Sequence, residues 1–254
     1  CPADWQSPFR PAGKGNYFAW PLLTNLMPWQ RSGVKAGRTW VIAPDKNTLK
    51  KRWKVLLEAD KENRRILFKD SPSGRKVHKG KKQLPPSDKT LKPISELEQD
   101  SEAPRIIRLA YRSFDRHYVF AGGRLLDRPG PNLWRTYGEK QMYLTSLFSQ
   151  PLGNGPALTA CSALPDLDHF RGSYGAKAAI PLYRTPDALE ANLLPGLLDL
   201  LGKAYGQAVT AEDFVAYVYG LLAHPAFTQR FFEELETREL RVPITKDADL
   251  FKQV

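Results

Sequence analysis

Basic side chains are the most abundant groups in this sequence that could do chemistry, and their excess lies in one stretch. Residues 46–92 hold 16 Lys or Arg and 5 Asp or Glu, so this stretch alone accounts for the net charge of +11. The rest of the chain carries 22 basic and 22 acidic side chains. A local excess of this kind favours a polyanionic partner such as nucleic acid, whose phosphates are neutralised by Lys and Arg.

The densest basic segment is Gly74–Lys82, with five Lys or Arg in nine residues. It lies in the range 70–104, which is rich in Pro, Ser, Gly, Lys and Glu and turns acidic toward its end. We predict that 70–104 is a long exposed basic-then-acidic loop or insertion, whose basic half follows a phosphate backbone. A solvated loop that touches nothing is the alternative. The predicted DNA contacts in this segment are Arg75, Lys76, Lys79, Lys81 and Lys82.

Three shorter segments supply the other candidate DNA contacts. These candidates are Lys35, Arg38, Arg112, Arg116, Arg171 and Ser173. An Arg such as Arg38 suits a base contact as well as a phosphate contact, because a guanidinium can donate two hydrogen bonds to O6 and N7 of guanine. The alternative for Arg38 is that it pins its own loop. For Arg112 and Arg116 the alternative is an internal ion pair with Asp115 that holds the turn.

Few residues have catalytic potential. Cys161 and His169 could form a nucleophile–base pair, but Cys161 lies among small residues in a predicted strand, which favours a buried structural thiol. Asp166 and Asp168 lie two residues apart in a Pro-bounded loop, where solvated carboxylates are a better interpretation than metal ligands. The four His residues show no metal-ligand spacing.

The motifs of common nucleotide-binding and DNA-processing sites do not occur in the sequence. There is no Gly-x-x-x-x-Gly-Lys-Ser/Thr loop, no Gly-x-Gly-x-x-Gly after a strand and no His-Glu-x-x-His pair. No Lys has an acid two positions before it, a common nuclease arrangement. The Pro85-Pro86 pair lacks the flanking residues of the Asn/Asp/Ser-Pro-Pro-aromatic motif of amino-methylating DNA enzymes. We therefore expect no complete catalytic site and no cofactor in this chain.

Candidate strands dominate the first two thirds of the chain. They are Tyr17–Trp20, Arg38–Ala43, Ile66–Phe68, Arg105–Tyr111, His117–Phe120, Ala157–Cys161 and Ala178–Tyr183. Between the second and third of them, Asp45 or Asn47 can cap a helix. Leu49, Trp53 and Leu57 then recur at four-residue spacing and mark one apolar helix face.

Helices are predicted to follow in the last third. Thr210–Asp213 resembles a capping box with Asp in place of Glu, and apolar helix faces follow over 214–222 and 227–235. The predicted fold class is therefore α+β: a mixed, mostly antiparallel sheet with helices concentrated in the C-terminal third.

Size and composition limit the setting in which the chain works. Its 254 residues are enough for a large domain with a real core. Two Cys residues are no disulfide framework and fit a reducing cytoplasm. No apolar run reaches the roughly 18 residues that span a bilayer, so no membrane partner is expected. The chain starts with Cys1 rather than Met, which is typical of a fragment of a longer polypeptide.

Four segments in order carry a family resemblance: Ser32–Arg38, Tyr111–Tyr118, Pro181–Tyr183, and Ala216–Pro225 with its continuation to Arg241-Val242-Pro243. They are similar to segments of the C-terminal specificity region of type ISP restriction-modification enzymes. Those segments read Ser-Gly-Val/Ile-x-Thr-x-Arg, Tyr-Arg-Pro-Phe-Asp-x-Arg-Trp-x-Tyr, Phe-Pro-Leu-Tyr, and Tyr-Ile-Tyr-Ala-Val-Leu-His-Ser-Pro ending in Arg-Ile-Pro. Ala36, Ser113 and His117 stand where the family usually has Thr, Pro and Trp.

The resemblance implies that residues 1–254 form a target-recognition domain for double-stranded DNA with no activity of its own. It also implies an adenine-N6 methyltransferase and a nuclease/helicase-like motor upstream in the same polypeptide. S-adenosylmethionine, ATP and Mg²⁺ are expected only for those upstream domains.

The residues alone leave two other functions open. One is a non-specific RNA- or single-stranded-DNA-binding module that uses aromatics such as Trp40 and Trp53 beside the basic loop. The other is an enzyme built on Cys161 or on the loop aspartates Asp166 and Asp168.

Overall fold

The computed structural model describes residues 15–70, 81–87, 89–148, 151–170 and 178–254. The α-helices in these ranges are Leu23–Leu26 (α1), Lys46–Glu58 (α2), Lys61–Leu67 (α3), Pro131–Trp134 (α4), Leu197–Tyr205 (α5), Ala211–Leu222 (α6), Pro225–Arg230 (α7), Phe232–Leu235 (α8) and Ala248–Gln253 (α9). The strands are Ile42–Ala43 (β1), Lys81–Lys82 (β2), Thr90–Leu91 (β3), Ile106–Arg112 (β4), Asp115–Phe120 (β5), Tyr143–Ser146 (β6), Leu158–Cys161 (β7), Leu164–Pro165 (β8) and Ala178–Pro181 (β9). None of these helices is long and apolar enough to cross a membrane.

Three small sheets organise the strands. The largest has the order β1-β5-β4-β8, in which β4 and β5 form an antiparallel hairpin and β8 runs parallel to β4. A second sheet, β7-β6-β9, is antiparallel throughout, and β2 and β3 form a separate antiparallel pair. With helices α5 to α9 following the last strand, the predicted α+β class with a mixed, mostly antiparallel sheet is confirmed.

The sheet β7-β6-β9 lies between two hydrophobic cores. Successive side chains of a strand point to opposite faces, so neighbouring residues can enter different cores. Tyr143 and Ala179 pack into the core beneath the sheet β1-β5-β4-β8, and so does Cys161. Leu144 and Ile180 pack into the core formed with the C-terminal helices. Burial on both faces makes this sheet the structural link between the hairpin and the helical end.

Helix α2 forms as its sequence predicts. Asp45 is the N-cap, and its Oδ1 accepts a hydrogen bond from the Thr48 backbone N–H at 2.8 Å. Leu49, Trp53 and Leu57 are all buried on one face, which packs under the sheet that contains β4 and β5. The helix therefore supports the sheet from which the hairpin projects.

Helix α6 also begins as predicted. Thr210 Oγ1 accepts from the Asp213 backbone N–H at 3.1 Å, and Asp213 Oδ2 accepts from the Thr210 backbone N–H at 2.9 Å. This reciprocal pair is a capping box. Phe214 and Val218 follow on the buried face of the helix.

Three of the predicted strands are wrong in whole or in part. The structure has a 3-10 helix at Tyr17–Ala19, a 3-10 helix at Thr39–Val41 that leaves only Ile42–Ala43 as strand, and the end of α3 at Ile66–Leu67. A short run of apolar residues does not by itself distinguish a strand from a buried helical turn. The residue that caps the start of a helix can determine which of the two forms. At α3 the deciding group is Asp60, whose Oδ1 accepts from the Asn63 backbone N–H at 2.8 Å.

The described part of the range 70–104 differs from a fully exposed loop at several points. Leu84 and Ile94 are buried in the same core as the hairpin. Two buried guanidinium groups, those of Arg64 and Arg124, donate to backbone carbonyls of this range. The segment after β2 is therefore attached to the domain by both apolar and polar contacts.

Candidate nucleic-acid interface

A pocket of about 300 Å³ brings together predicted contact residues from two segments that are far apart in the sequence. Lys35, Arg38 and Arg112 all line it. The carboxylates of Asp166 and Asp168 belong to the same lining. The pocket therefore offers N–H donors and carboxylate acceptors side by side.

Close backbone packing places the segment 32–38 against this pocket. Val34 forms a parallel bridge to Asp166 just after β8. A Cβ on Gly33 would lie 2.6 Å from the Asp166 carbonyl oxygen, so only glycine fits there. Gly37 has φ +73°, and a Cβ on it would lie 2.2 Å from the Asp127 Cβ. The glycines of this segment are thus required by the tight contact of three chain segments.

Lys35 and Arg38 are held by different kinds of contact. Lys35 Nζ lies 3.9 Å from Asp127 Oδ2, and its side chain is 37% exposed while that of Asp127 is 2% exposed. The Arg38 guanidinium lies 4.3 Å from the centre of the Phe68 ring. This stacking supports the alternative in which Arg38 pins its own loop, although its place in the pocket lining keeps it beside any ligand.

Arg112 forms the most specific polar contacts of the pocket. Its Nη1 donates to Asp166 Oδ1 at 2.8 Å and to the Tyr111 carbonyl at 2.6 Å, and its Nη2 lies 3.9 Å from Asp168 Oδ2. The guanidinium also stacks at 4.0 Å on the Tyr111 ring. Arg112 therefore forms an internal Arg–Asp pair, as the alternative to DNA contact predicts, but its partner is Asp166 rather than Asp115. The interpretation of Asp166 as a solvated carboxylate is wrong, because this residue is 3% exposed.

Asp166 and Arg112 depend on each other electrostatically. Burial raises the pKa of Asp166, and this effect outweighs the opposing effects of the Asp168 backbone N–H and of Arg112. Removing Arg112 would therefore leave a poorly solvated carboxylate. The pair fixes the guanidinium in one direction, because its donors at Nη1 are already committed.

The balance of charge in the pocket indicates which part of DNA it suits. The three cations that line it are matched by Asp166 and Asp168 in the lining and by Asp127 behind Lys35. A pocket of balanced charge attracts phosphate weakly. Arg donors instead match O6 and N7 of guanine, and carboxylates match the exocyclic amino group of cytosine. The lining is therefore better suited to base edges than to the backbone.

Arg116 supports the turn of the hairpin from behind. Its Nη1 donates to the carbonyls of Arg112 at 3.1 Å and of Ser113 at 3.2 Å. Asp115 Oδ1 instead lies 3.1 Å from Nδ1 of His117. Arg116 thus holds the turn through backbone carbonyls, and its contact with DNA stays a prediction.

Three residues that the sequence analysis did not single out form a basic and aromatic ladder on the outer face of the hairpin. Arg108 and Tyr118 are paired across strands β4 and β5. The Arg108 guanidinium and the Lys46 ammonium each lie 5.4 Å from the centre of the Tyr118 ring. The sequence contained a signal for this face, because Arg108 lies between the apolar residues Ile107 and Leu109 of one predicted strand, whose successive side chains point to opposite faces. Exposed cations on this face are suited to phosphate contacts.

Of the remaining predicted DNA contacts, some lie in the part of the chain that the structure describes and some do not. Arg75, Lys76, Lys79, Arg171 and Ser173 lie outside the described residues. Lys81 and Lys82 form strand β2, and the Lys82 side chain is exposed. These seven positions stay predictions.

The candidate catalytic residues are buried. Cys161 Sγ donates to the Ala163 carbonyl at 3.3 Å, and burial raises the pKa of this thiol to about 12. A thiol in that state is protonated at neutral pH and a weak nucleophile, so the structural interpretation of Cys161 is confirmed. Burial lowers the pKa of His169 to about 4. Within the described ranges, no group of three or more His, Cys, Asp or Glu could hold a metal ion.

A larger pocket of about 670 Å³ lies elsewhere on the domain, between the segments 85–87 and 134–139. Its lining includes the Trp134 and Tyr137 rings and Arg105. None of the predicted DNA contacts lines it. The smaller pocket is therefore the better candidate site, because independent predictions converge on it.

Comparisons with known proteins identify the family of this chain and solved structures with a similar fold. The family model of the Type ISP C-terminal specificity domain matches residues 25–254. The fold is similar to that of the ATP-dependent Type ISP restriction-modification enzyme LlaBIII bound to DNA, with 17% identity, a TM-score of 0.62 and 95% of this chain covered. It is also similar to a nuclease-deletion mutant of the Type ISP enzyme LlaGI in complex with a DNA substrate mimic, with 17% identity, a TM-score of 0.60 and 95% covered. A DrdV–DNA complex matches with 18% identity, a TM-score of 0.58 and 90% covered.

The chain is much shorter than these solved proteins. It spans 16% of the LlaBIII chain, 19% of the LlaGI chain and 22% of the DrdV chain. A search of the curated proteins returns no match to this sequence.

Proposed function

This chain belongs to the family of Type ISP C-terminal specificity domains, and we propose that it reads the base sequence of double-stranded DNA. The observation that carries the proposal is the pocket in which Arg112, Lys35 and Arg38 meet Asp166 and Asp168. Sequence reading requires fixed donors and acceptors at base edges rather than a simple positive surface. This pocket provides both, and its guanidinium is held in place before DNA arrives.

The hairpin supplies the complementary function of binding the backbone. Arg108 and Lys46 are exposed beside the Tyr118 ring. Phosphate contacts of this kind set affinity and register, and they make binding depend on salt. The proposed division of labour is base reading by the pocket and backbone binding by the ladder.

The proposal extends to the polypeptide in which the domain works. Residues 1–254 act as one recognition domain, with a methyltransferase and a nuclease/helicase motor in the same polypeptide upstream. Family membership and the restriction-modification enzymes with similar folds support this arrangement. S-adenosylmethionine, ATP and Mg²⁺ belong to those other domains, and the polypeptide works in a reducing cytoplasm.

The non-specific single-strand module has less support. It requires aromatic rings that are free to stack on bases. Trp53 is 4% exposed, and Trp40 packs edge-on against Phe68 with 4.9 Å between ring centroids. Both rings that this alternative relies on are used inside the domain.

Fluorescence anisotropy tests the proposal against this alternative. Labelled random-sequence duplex, single-stranded DNA and RNA of the same length are titrated with the chain over a range of salt concentrations. Duplex is expected to bind most tightly. Arg108→Ala is expected to lower the slope of log K against log salt by about one, because one phosphate contact is lost. Lys203→Ala on α5, far along the chain from the hairpin, is the matched control and should leave the slope unchanged. Tighter binding of either single strand would contradict the proposal.

A further inference from the structure

Phe114 is the most exposed large hydrophobic side chain in the described part of the chain. Its exposure is 101% of the reference value, and the next, Leu189, reaches 84%. Large aromatic side chains normally supply buried area, so a ring that touches nothing is an informative exception. Phe114 lies in the two-residue turn between β4 and β5, at the tip of the hairpin.

The turn that carries the ring is firmly held. Ser113 Oγ donates to the His169 carbonyl at 2.9 Å, and His169 is 1% exposed. Arg116 donates to the carbonyls of Arg112 and Ser113, and Arg112 is tied to Asp166. Hydrogen bonds therefore anchor the backbone on both sides of Phe114 while its side chain projects into solvent.

The surroundings of the ring are basic. Residues 105–116 hold four Arg and one Asp. The Asp is Asp115, so the segment keeps an excess of three positive charges. Arg112, two residues before the ring, also lines the candidate base-reading pocket. An apolar ring flanked by cations is complementary to duplex DNA, in which stacked bases lie between two phosphate backbones. The ring can leave water by contacting the bases while the cations neutralise the phosphates.

We propose that Phe114 is a wedge that inserts into the base stack of the bound duplex next to the base read by the pocket, an inference that rests on the proposed function. Insertion of an apolar side chain partly unstacks a base step and kinks the duplex. The energy of that deformation depends on the sequence that is deformed. Phe114 thereby adds specificity at a base step where no hydrogen bond is made. Because the turn is anchored, the inserted ring also fixes the position of Arg112 relative to the bases.

Two substitutions and one matched control test the wedge. Phe114→Ala removes the ring and should not affect folding, because the ring makes no buried contact. Phe114→Trp keeps a stacking ring and adds a fluorophore. Leu189→Ala removes the next most exposed large apolar side chain of the described residues, which lies outside the hairpin. The probe is an intact random-sequence duplex. Its affinity for each variant is measured by anisotropy, and the accessibility of the added Trp in Phe114→Trp is measured by iodide quenching of its emission with and without duplex.

The wedge predicts that Phe114→Ala weakens duplex binding about tenfold or more with an unchanged salt slope, since stacking is lost but no phosphate contact is lost. Phe114→Trp and Leu189→Ala are expected to bind as the unmodified chain does. Duplex should shield the emission of Phe114→Trp from iodide.

Other results would overturn the wedge. Unchanged binding of Phe114→Ala, or an added Trp emission that stays open to iodide on duplex, would overturn the wedge and leave the proposed function intact. In the full polypeptide, emission that is shielded before DNA is added would show that the ring docks on protein instead. Failure of the unmodified chain to bind duplex would refute the proposed function, and the wedge with it.

Discussion

Removal of the Arg112 side chain is expected to destabilise the domain through the carboxylate that it leaves behind. Asp166 is 3% exposed, and its Oδ1 lies 2.8 Å from Arg112 Nη1. Breaking a fully buried ion pair costs about 3 to 5 kcal/mol. The Arg112 side chain is 36% exposed, so water can partly replace it. We therefore expect Arg112→Ala to lower the free energy of unfolding by about 2 kcal/mol.

A second substitution separates this electrostatic cost from the loss of a DNA contact. Asp166→Asn in the Arg112→Ala background removes the stranded charge while its amide oxygen can still accept from the Asp168 backbone N–H. The double variant is expected to recover most of the lost stability. Its DNA recognition should stay defective, because the guanidinium is still absent. A lost bidentate base contact weakens discrimination by about tenfold or more.

Urea unfolding and duplex binding of the two single variants and the double variant measure both effects. The stability changes of the single variants should sum to clearly more than the change of the double variant, because the residues form one unit. Additive stability changes would refute the account of a coupled buried pair. Full recovery of sequence discrimination in the double variant would refute the role of Arg112 in recognition.

Two further predictions follow from other parts of the site. Burial lowers the pKa of His169 from 6.5 in the unfolded chain to about 4 in the folded chain. As the pH falls from about 7 to about 5, the unfolded chain therefore binds a proton at His169 and the folded chain does not. This difference should lower the free energy of unfolding by about 2 kcal/mol. The contribution of His169 to stability is complete above its unfolded-state pKa and is lost as the pH falls from that pKa toward the folded-state pKa. Urea unfolding of His169→Gln should therefore depend clearly less on pH than urea unfolding of the unmodified chain. Gly33→Ala should destabilise by about 1 to 3 kcal/mol, because its Cβ would lie 2.6 Å from the Asp166 carbonyl oxygen. Thermal unfolding measures this change, and a midpoint equal to that of the unmodified chain would contradict the close contact at Gly33.

Local patterns explain which parts of the fold could be predicted. Helix α2 follows from the Asp45 cap and from the spacing of Leu49, Trp53 and Leu57, and the capping box of α6 is equally local. The two strands of the hairpin β4–β5 are predictable for the same reason, since apolar residues mark both of them and a short polar connection separates them. The strand predicted over 38–43 failed because two of its apolar residues lie in a 3-10 turn that packs them against the core.

Long-range contacts explain what could not be predicted at the site. The sequence marked Arg112 and Asp166 separately, but they are 54 positions apart and meet only because β8 runs parallel to β4. Lys35 reaches the same pocket through the bridge of its neighbour Val34 to Asp166. The exposure of Phe114 likewise depends on whether distant segments of the chain cover the tip of the hairpin, and a local sequence pattern does not contain that information.

Sequence reading by this domain is tested by selecting bound duplexes from a randomised pool, first with the unmodified chain and then with the Arg112→Ala/Asp166→Asn double variant. The unmodified chain is expected to enrich one short motif. The double variant should enrich the same motif with the preference relaxed at the position that Arg112 reads. Binding by the unmodified chain without any enriched motif would contradict the claim that this domain reads DNA sequence.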